Sequence, residues 1–299
     1  MRRTPLLALP VIAVADSCAY SAMQRWMCPR PAKSVAAAPP KQKAARRPVH
    51  LHIVFRTYEK QAVQLGASVF SILAAAEGLN WLQLSIAVLS TGSSERGAAL
   101  VTQAVSLLRQ SLLHWPNAPR ARIELVPWSP DASKHWGYTA SDAELERVLN
   151  NSTLPDYLLF CNGDTLYANE VFHEARFEMW GATDVIGMNW MPTVRHMGES
   201  LSHISEQSPQ KFCSFRHGGV DLNGLLFRTE VLRRTGAAFH KLHTPCAGLL
   251  PGGRGMPNGC GAIDPRPYWV ADWGLVYQVL SQNATKACLA GTRTLFLQN

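Results

Sequence analysis

The sequence predicts an α/β fold: a mixed, mostly parallel sheet flanked by helices, built as a single domain over residues 49–299. Three observations predict it. From His50 onward, strand-like apolar runs alternate with stretches of helical spacing. The intervening stretches are long enough to be crossover helices between parallel strands. Apolar residues make up 47% of the chain and charged residues 17%, the balance of a protein with a full core.

The elements follow in order. "HLHIVF" (50–55) is a short strand, and "KQAVQLGASVFSILAAAEG" (60–78) is a helix ending at a Gly suited to its C-terminus. "LQLSIAVL" (82–89) is a strand, "GAALVTQAVSLLRQSLLHW" (97–115) a helix and "RIELVP" (122–127) a strand. Ser141 and Glu144 have capping-box spacing and open a helix through Val148. "DYLLFC" (156–161) is a fourth strand, followed by a short helix near 168–178 and the strand "DVIGM" (184–188). A loop-rich stretch leads to "GVDLNGLLFR" (219–228), a strand with a polar interruption, and the helix "TEVLRRTG". "DWGLVYQVLSQN" (272–283) is the last helix and "TRTLFL" (292–297) a closing strand.

The length allows one large domain or two of about 150 residues. The net charge of +8 belongs to one end of the chain. Residues 1–60 hold 11 Lys and Arg against Asp16 and Glu59, while the remainder holds 18 basic against 19 acidic groups. A body with no net positive charge does not attract a polyanion, so nucleic acid is not the expected partner. Within residues 1–27, Arg2 and Arg3 precede the apolar run "PLLALPVIAVA", which is short for a membrane span and resembles a signal-peptide core. Stretched to Met27, it becomes an uncleaved anchor and a possible membrane attachment; an organelle transit peptide is the alternative. Residues 28–48 read as a Pro/Ala/Lys linker.

Seven cysteines show neither C-x-x-C nor zinc spacing. Cys161 sits in an apolar strand as a buried thiol, while Cys213, Cys246, Cys260 and Cys288 are free to pair in an oxidising lumen, with connectivity open. Sequons at Asn150, Asn151 and Asn283 fit the same secretory address.

In mostly parallel sheets, ligands bind beyond the carboxyl ends of strands at a topological switch point. That rule selects Arg56-Thr57-Tyr58-Glu59 after the first strand and Asn162-Gly163-Asp164 after the fourth. No Gly-rich turn follows the first strand, and G-x-x-x-x-G-K-[ST] is absent. The Gly-rich stretch 252–261 reads as a surface loop, with an active-site lid as the alternative. Phosphate binding without such a loop calls for a divalent metal on one or two strand-end carboxylates. Asp164 has that position, although Asn-Gly is also a turn signal.

"YLLFCNGDTLY" resembles the Asp-x-Asp motif of GT-A glycosyltransferases, with Asn162 in the first position and Asp164 in the second. The resemblance covers residues 50–299 in order and length, including Tyr138 with "SDAELERVL", then "DLNGLLFRTEVL" and "ADW". It implies a GT-A-like catalytic domain, a nucleotide-sugar donor and a divalent cation, Mn²⁺ or Mg²⁺, on Asp164 and Asn162. Asn162 departs from the motif: its amide can ligate but brings no charge. The resemblance further implies that Asp142 faces the nucleotide, that Asp221 is a sugar-facing carboxylate and that Asp272 is the base of an inverting transfer. Capping its own helix is the other role open to Asp272.

Asp221 and Asn223 interrupt an apolar stretch and therefore suggest a pocket floor. Arg56 and Thr57 are placed to contact the nucleotide. Trp190, Trp269 and Trp273 are sugar platforms or core residues. His240 and His243 have i, i+3 spacing but no third ligand. The expectation is a lumenal, Golgi glycosyltransferase acting on a carbohydrate or glycoconjugate acceptor. An inactive carbohydrate-binding or scaffold protein and a metal-dependent hydrolase are its rivals.

Overall fold

The computed structural model describes residues 47–115, 119, 121–192, 212–215, 220–241, 271–289 and 296–298. Four parallel strands form its centre: β1 (Val49–Thr57), β2 (Leu82–Ser90), β3 (Ala121–Val126) and β4 (Tyr157–Asn162). Helices α1 (Ala62–Ala76), α2 (Glu95–Leu113) and α3 (Tyr138–Leu149) make the crossovers, with a 3₁₀ segment Pro130–Gly137 before α3. After β4 come β5 (Leu166–Tyr167), α4 (Val171–Trp180), β6 (Val185–Gly187) and β7 (Trp190–Pro192). A 3₁₀ turn, Leu222–Gly224, leads into β8 (Leu225–Arg228) and α5 (Thr229–Thr235). The turn Phe239–Lys241, α6 (Ala271–Leu280), β9 (Lys286–Cys288) and β10 (Phe296–Gln298) complete the described elements.

The main sheet runs β3-β2-β1-β4-β8-β6-β9, with β8 antiparallel to both neighbours; β5, β10 and β7 form a small second sheet. The mixed, mostly parallel α/β architecture is therefore as the sequence predicts. The middle stretches of β1, β2 and β4 are buried and mostly apolar because both faces are covered. Side chains alternate between those faces. Leu51, Ile53, Phe55, Leu159 and Cys161 pack with Leu65, Val69 and Ile72 of α1 and Val105 of α2. Val54, Leu158 and Phe160 pack on the other face with Leu145, Val231 and Val276 of α3, α5 and α6. Each fully buried side chain of this kind contributes about 1.5–3 kcal/mol.

Chain order creates the functional geometry. The chain moves outward from β1 to β2 and β3, then α3 returns it to β4 on the other side of β1. A crevice opens where the order reverses, at the carboxyl ends of β1 and β4.

Several boundaries differ from expectation. α3 starts at Tyr138, with Gly137 as its left-handed N-cap (φ 82°), so Ser141 and Glu144 do not form a capping box. Ser141 Oγ instead donates to Gly137 O, and Glu144 pairs with His52 and Arg147. Burial opposes ionisation of Glu144, but hydrogen bonds from His52 and Arg147 hold its pKa below the usual value. Residues 221–224 are a cap and turn, not an interrupted strand. In the closing stretch, residues 296–298 form a strand, but of the small sheet. Cys213 and Cys288 form a disulfide, and Gly187 admits it: a Cβ there would lie 2.4 Å from Cys213 Sγ. Among the described residues no helix is long and apolar enough to cross a membrane.

Candidate active site

The Asn-Gly-Asp stretch is both a turn and the wall of the crevice. Thr165 N donates to Asn162 O at 3.3 Å and closes the turn. Gly163 has no left-handed φ; it is required by close approach. A Cβ on Gly163 would lie 2.5 Å from Thr57 Oγ1, and the backbone is held there by Gly163 N donating to Arg56 O and Ser68 Oγ donating to Gly163 O. Thr57 is thus fully buried beneath the turn, and the expected nucleotide contact from its side chain is corrected.

Arg56 and Asn162 are Cα partners in the β1–β4 ladder. Arg56 Nη2 donates to Asn162 Oδ1 at 3.0 Å, and its guanidinium lies 4.4 Å from the centre of the Tyr138 ring. Arg56 is 6% exposed. Burial works against its charge, yet Tyr138, Asp272 and Asp221 together raise its pKa above the ordinary value.

Tyr138 donates its hydroxyl to Asp272 Oδ1. Burial first, and then Asp272, push the phenol's pKa upward, so it remains a donor. Arg56, Tyr138, Asn162 and Asp272 line one cleft of about 460 Å³, together with Glu59 and Gln61. Gln61 and the orienting role of Tyr138 were not anticipated, because only tertiary packing brings them to the strand ends.

Behind this cleft, Asp221 Oδ1 accepts from Asn223 N (2.9 Å) and Asn223 Nδ2 (2.7 Å). Asn223 Oδ1 accepts from Asn162 N at 2.7 Å, and Tyr167 OH donates to Asn223 O. Asn223 is 2% exposed, so it braces the end of β4 and does not face a sugar. Burial, followed by the charge of Asp272, pushes the Asp221 carboxyl up to about 6.

Asp164 is 9% exposed. Its Oδ2 accepts from Gln61 Nε2 at 2.8 Å, Oδ1 has no hydrogen-bond partner, and burial raises its pKa. An unpartnered buried carboxylate oxygen suits a cation. The other expected ligand does not: the Asn162 oxygen is occupied by a guanidinium. Among the described residues no three His, Cys, Asp or Glu side chains are grouped to hold a metal. The paired Asn162–Asp164 metal site does not fit this arrangement.

Asp142 lies elsewhere. It accepts from Phe239 N and from His240 N and Nδ1, beside a separate cavity lined by Ala237 and Ala238, so its expected nucleotide-facing role is corrected. Trp273 is buried in the core and presents no sugar platform; Trp190 is half-buried against the opposite core face. Trp269, His243, Cys246, Cys260 and the Gly-rich loop 252–261 lie outside the described residues, as do residues 1–46.

The fold is similar to that of solved proteins. The chain resembles S. aureus TarS in fold. A TarS crystal structure aligns with a TM-score of 0.50 at 11% identity, covering 84% of this chain and 37% of TarS. The TarS 1-349 structure aligns at 0.48 and 12%, covering 84% and 60%. The chain therefore spans about two fifths to three fifths of the TarS chains it matches. Mannosyltransferase PcManGT from Pyrobaculum calidifontis, in complex with GDP-Man and Mn²⁺, aligns at 0.39 and 15%, covering 73% and 53%. No protein-family model and no curated protein sequence matches the chain.

Proposed function

We propose that the chain is a glycosyltransferase moving a sugar from a nucleotide-diphosphate donor to a hydroxyl acceptor, with inversion. One observation carries this reading: Arg56, Tyr138 and Asp272 meet in a single cleft at the switch point between β1 and β4. The guanidinium recognises the anionic donor. Asp272, half-buried on the first turn of α6 with one oxygen fixed by Tyr138, takes the proton of the acceptor hydroxyl as it attacks the anomeric carbon. The nucleoside diphosphate leaves from the opposite side. Asn162 gives a second reading some support, an inactive donor-binding or carbohydrate-binding scaffold, because it lacks the charge of the usual motif.

A secretory address accompanies the proposal. The Cys213–Cys288 disulfide and the exposed positions of Asn150, Asn151 and Asn283 suit an oxidising, glycosylating lumen. TarS has been crystallised with UDP and with UDP-GlcNAc, which makes UDP-sugars a practical first panel. The test is a thermal-shift screen of UDP- and GDP-sugars, followed by release of nucleoside diphosphate with and without sugar acceptors. Acceptor-stimulated release supports transfer, and release to water alone supports a hydrolase. Binding with no release supports the scaffold. Absence of any nucleotide-dependent stabilisation overturns the donor-binding reading.

A further inference from the structure

A buried guanidinium stands beside the very oxygen that the motif resemblance offers to a metal. We propose that Arg56 is the contact for the donor's phosphates and that nucleoside-diphosphate binding here requires no divalent cation, Asn162 being the substitution that keeps Arg56 available. This inference rests on the nucleotide-sugar reading above and specifies how that site holds its anion.

Register places the two residues together. Arg56 and Asn162 are Cα partners on adjacent parallel strands, so their side chains emerge side by side at the cleft, and Nη2 reaches Oδ1 at 3.0 Å. An Asp at 162 would meet the guanidinium as an ion pair and absorb its charge. An amide accepts the same hydrogen bond and leaves the charge in place. Arg56 lines the cleft, and its buried Nε has no hydrogen-bond partner. A guanidinium with parallel N–H donors matches phosphate oxygens in a way that a point charge does not.

The neighbouring acids are not hydrogen-bonded to the guanidinium, although Asp272 and Asp221 support its charge through space, and Asp164 Oδ1 and Glu59 Oε2 have no hydrogen-bond partner. Asp272 takes the Tyr138 hydroxyl, Asp221 takes two N–H groups of Asn223, and Asp164 is held by Gln61. Glu59 is turned toward the start of α2: its Oε2 lies 2.7 and 2.8 Å from where a Cβ would stand on Gly92 and Gly97. The first turn of a helix favours such a negative group. Tyr138 covers one face of the guanidinium and fixes its direction.

The test is calorimetric binding of UDP and GDP to the full chain in EDTA and in Mn²⁺. Wild type is expected to bind one of them with affinities within about twofold in the two buffers. R56Q is expected to weaken binding at least tenfold in both, and R56K, which keeps the charge, to weaken it less. N162D is expected to acquire metal dependence, binding at least fivefold more weakly in EDTA than in Mn²⁺. Circular dichroism on each variant separates loss of binding from loss of fold. Wild-type binding that disappears in EDTA overturns the role given to Arg56 while leaving the donor-binding reading intact. R56Q that folds and binds like wild type does the same. Failure of both nucleotides to bind in either buffer overturns both.

Discussion

Tyr138, the first residue of α3, donates its hydroxyl to Asp272 on the first turn of α6. The bond joins the crossover leading into β4 to the last described helix, and it fixes one carboxylate oxygen while the residue still lines the cleft. Gly137 makes this possible. Its left-handed φ of 82° starts α3 at residue 138, and a Cβ at 137 would lie 2.6 Å from Thr91 Cγ2.

If Asp272 is the base, D272N keeps the helix-start geometry and removes the proton acceptor. Acceptor-dependent turnover is expected to fall by about 10²–10⁴-fold, the usual worth of general base catalysis. Y138F, which loses the hydroxyl that orients Asp272 and also bonds Arg56, is expected to lower kcat by about tenfold. Steady-state kinetics beside donor calorimetry checks both. Wild-type kcat in either variant contradicts the assignment of that residue.

Asp221 sets a stability trend with pH. Its folded carboxyl is pushed up to about 6, above the unfolded value near 3.9. The native state therefore holds this proton more tightly than the unfolded chain does. Its contribution is most favourable below about pH 4 and is lost as pH rises through about 6. D221N keeps an oxygen to accept from Asn223 and has no charge to bury. Its melting temperature relative to wild type is expected to be higher at pH 7.5 than at pH 4.5, by several degrees. Scanning calorimetry at the two pH values measures this, and an equal offset at both contradicts the burial argument.

Legibility in the sequence followed element length and burial. β1, β2 and β4 are readable because both faces are covered, which gives each an apolar stretch, Ile53–Phe55, Ile86–Leu89 and Tyr157–Cys161. β5, β6, β7 and β9 have two or three residues each, too few to display a period; β6 was read only because Val185 and Ile186 are apolar. The strand-end rule selects Arg56 and Asn162 from topology alone, and the structure brings the two side chains together at the cleft. Thr57 and Asp142 were misplaced because side-chain direction depends on neighbours distant in sequence: Gly163 admits the Thr57 methyl, and the backbone N–H groups of residues 239 and 240 capture Asp142. Trp273 carries the same sequence signal as a sugar platform, and only packing against the α6 side of the core distinguishes them.

The Cys213–Cys288 bridge ties β9, at the sheet edge, to a segment 75 residues earlier in the chain. Closing a loop of that length stabilises the fold by roughly 2–4 kcal/mol. Dithiothreitol is expected to shift the wild-type urea midpoint downward and to leave a C213S/C288S double variant unmoved. A wild-type midpoint insensitive to reductant contradicts a stabilising bridge.

Gly163 supplies the sharpest packing test, because its contact with Thr57 has a definite geometry. In G163A the new methyl would stand 2.5 Å from Thr57 Oγ1 and 3.1 Å from Cγ2. Neither atom can retreat, since Thr57 is fully buried and the turn is fastened by Ser68 and by Arg56 O. Overpacking of this kind costs about 1–3 kcal/mol. T57A removes both obstructing atoms, so T57A/G163A is expected to be more stable than the sum of the single variants by about 1 kcal/mol or more. Because the same contact sets the height of Asn162 beside Arg56, G163A is also expected to weaken nucleoside-diphosphate binding and the double variant to restore part of it. Urea denaturation and calorimetry on the four proteins of the cycle test both statements. Additive effects would show that the turn relaxes freely, and then the glycine would not be what brings β4 against β1 at the cleft.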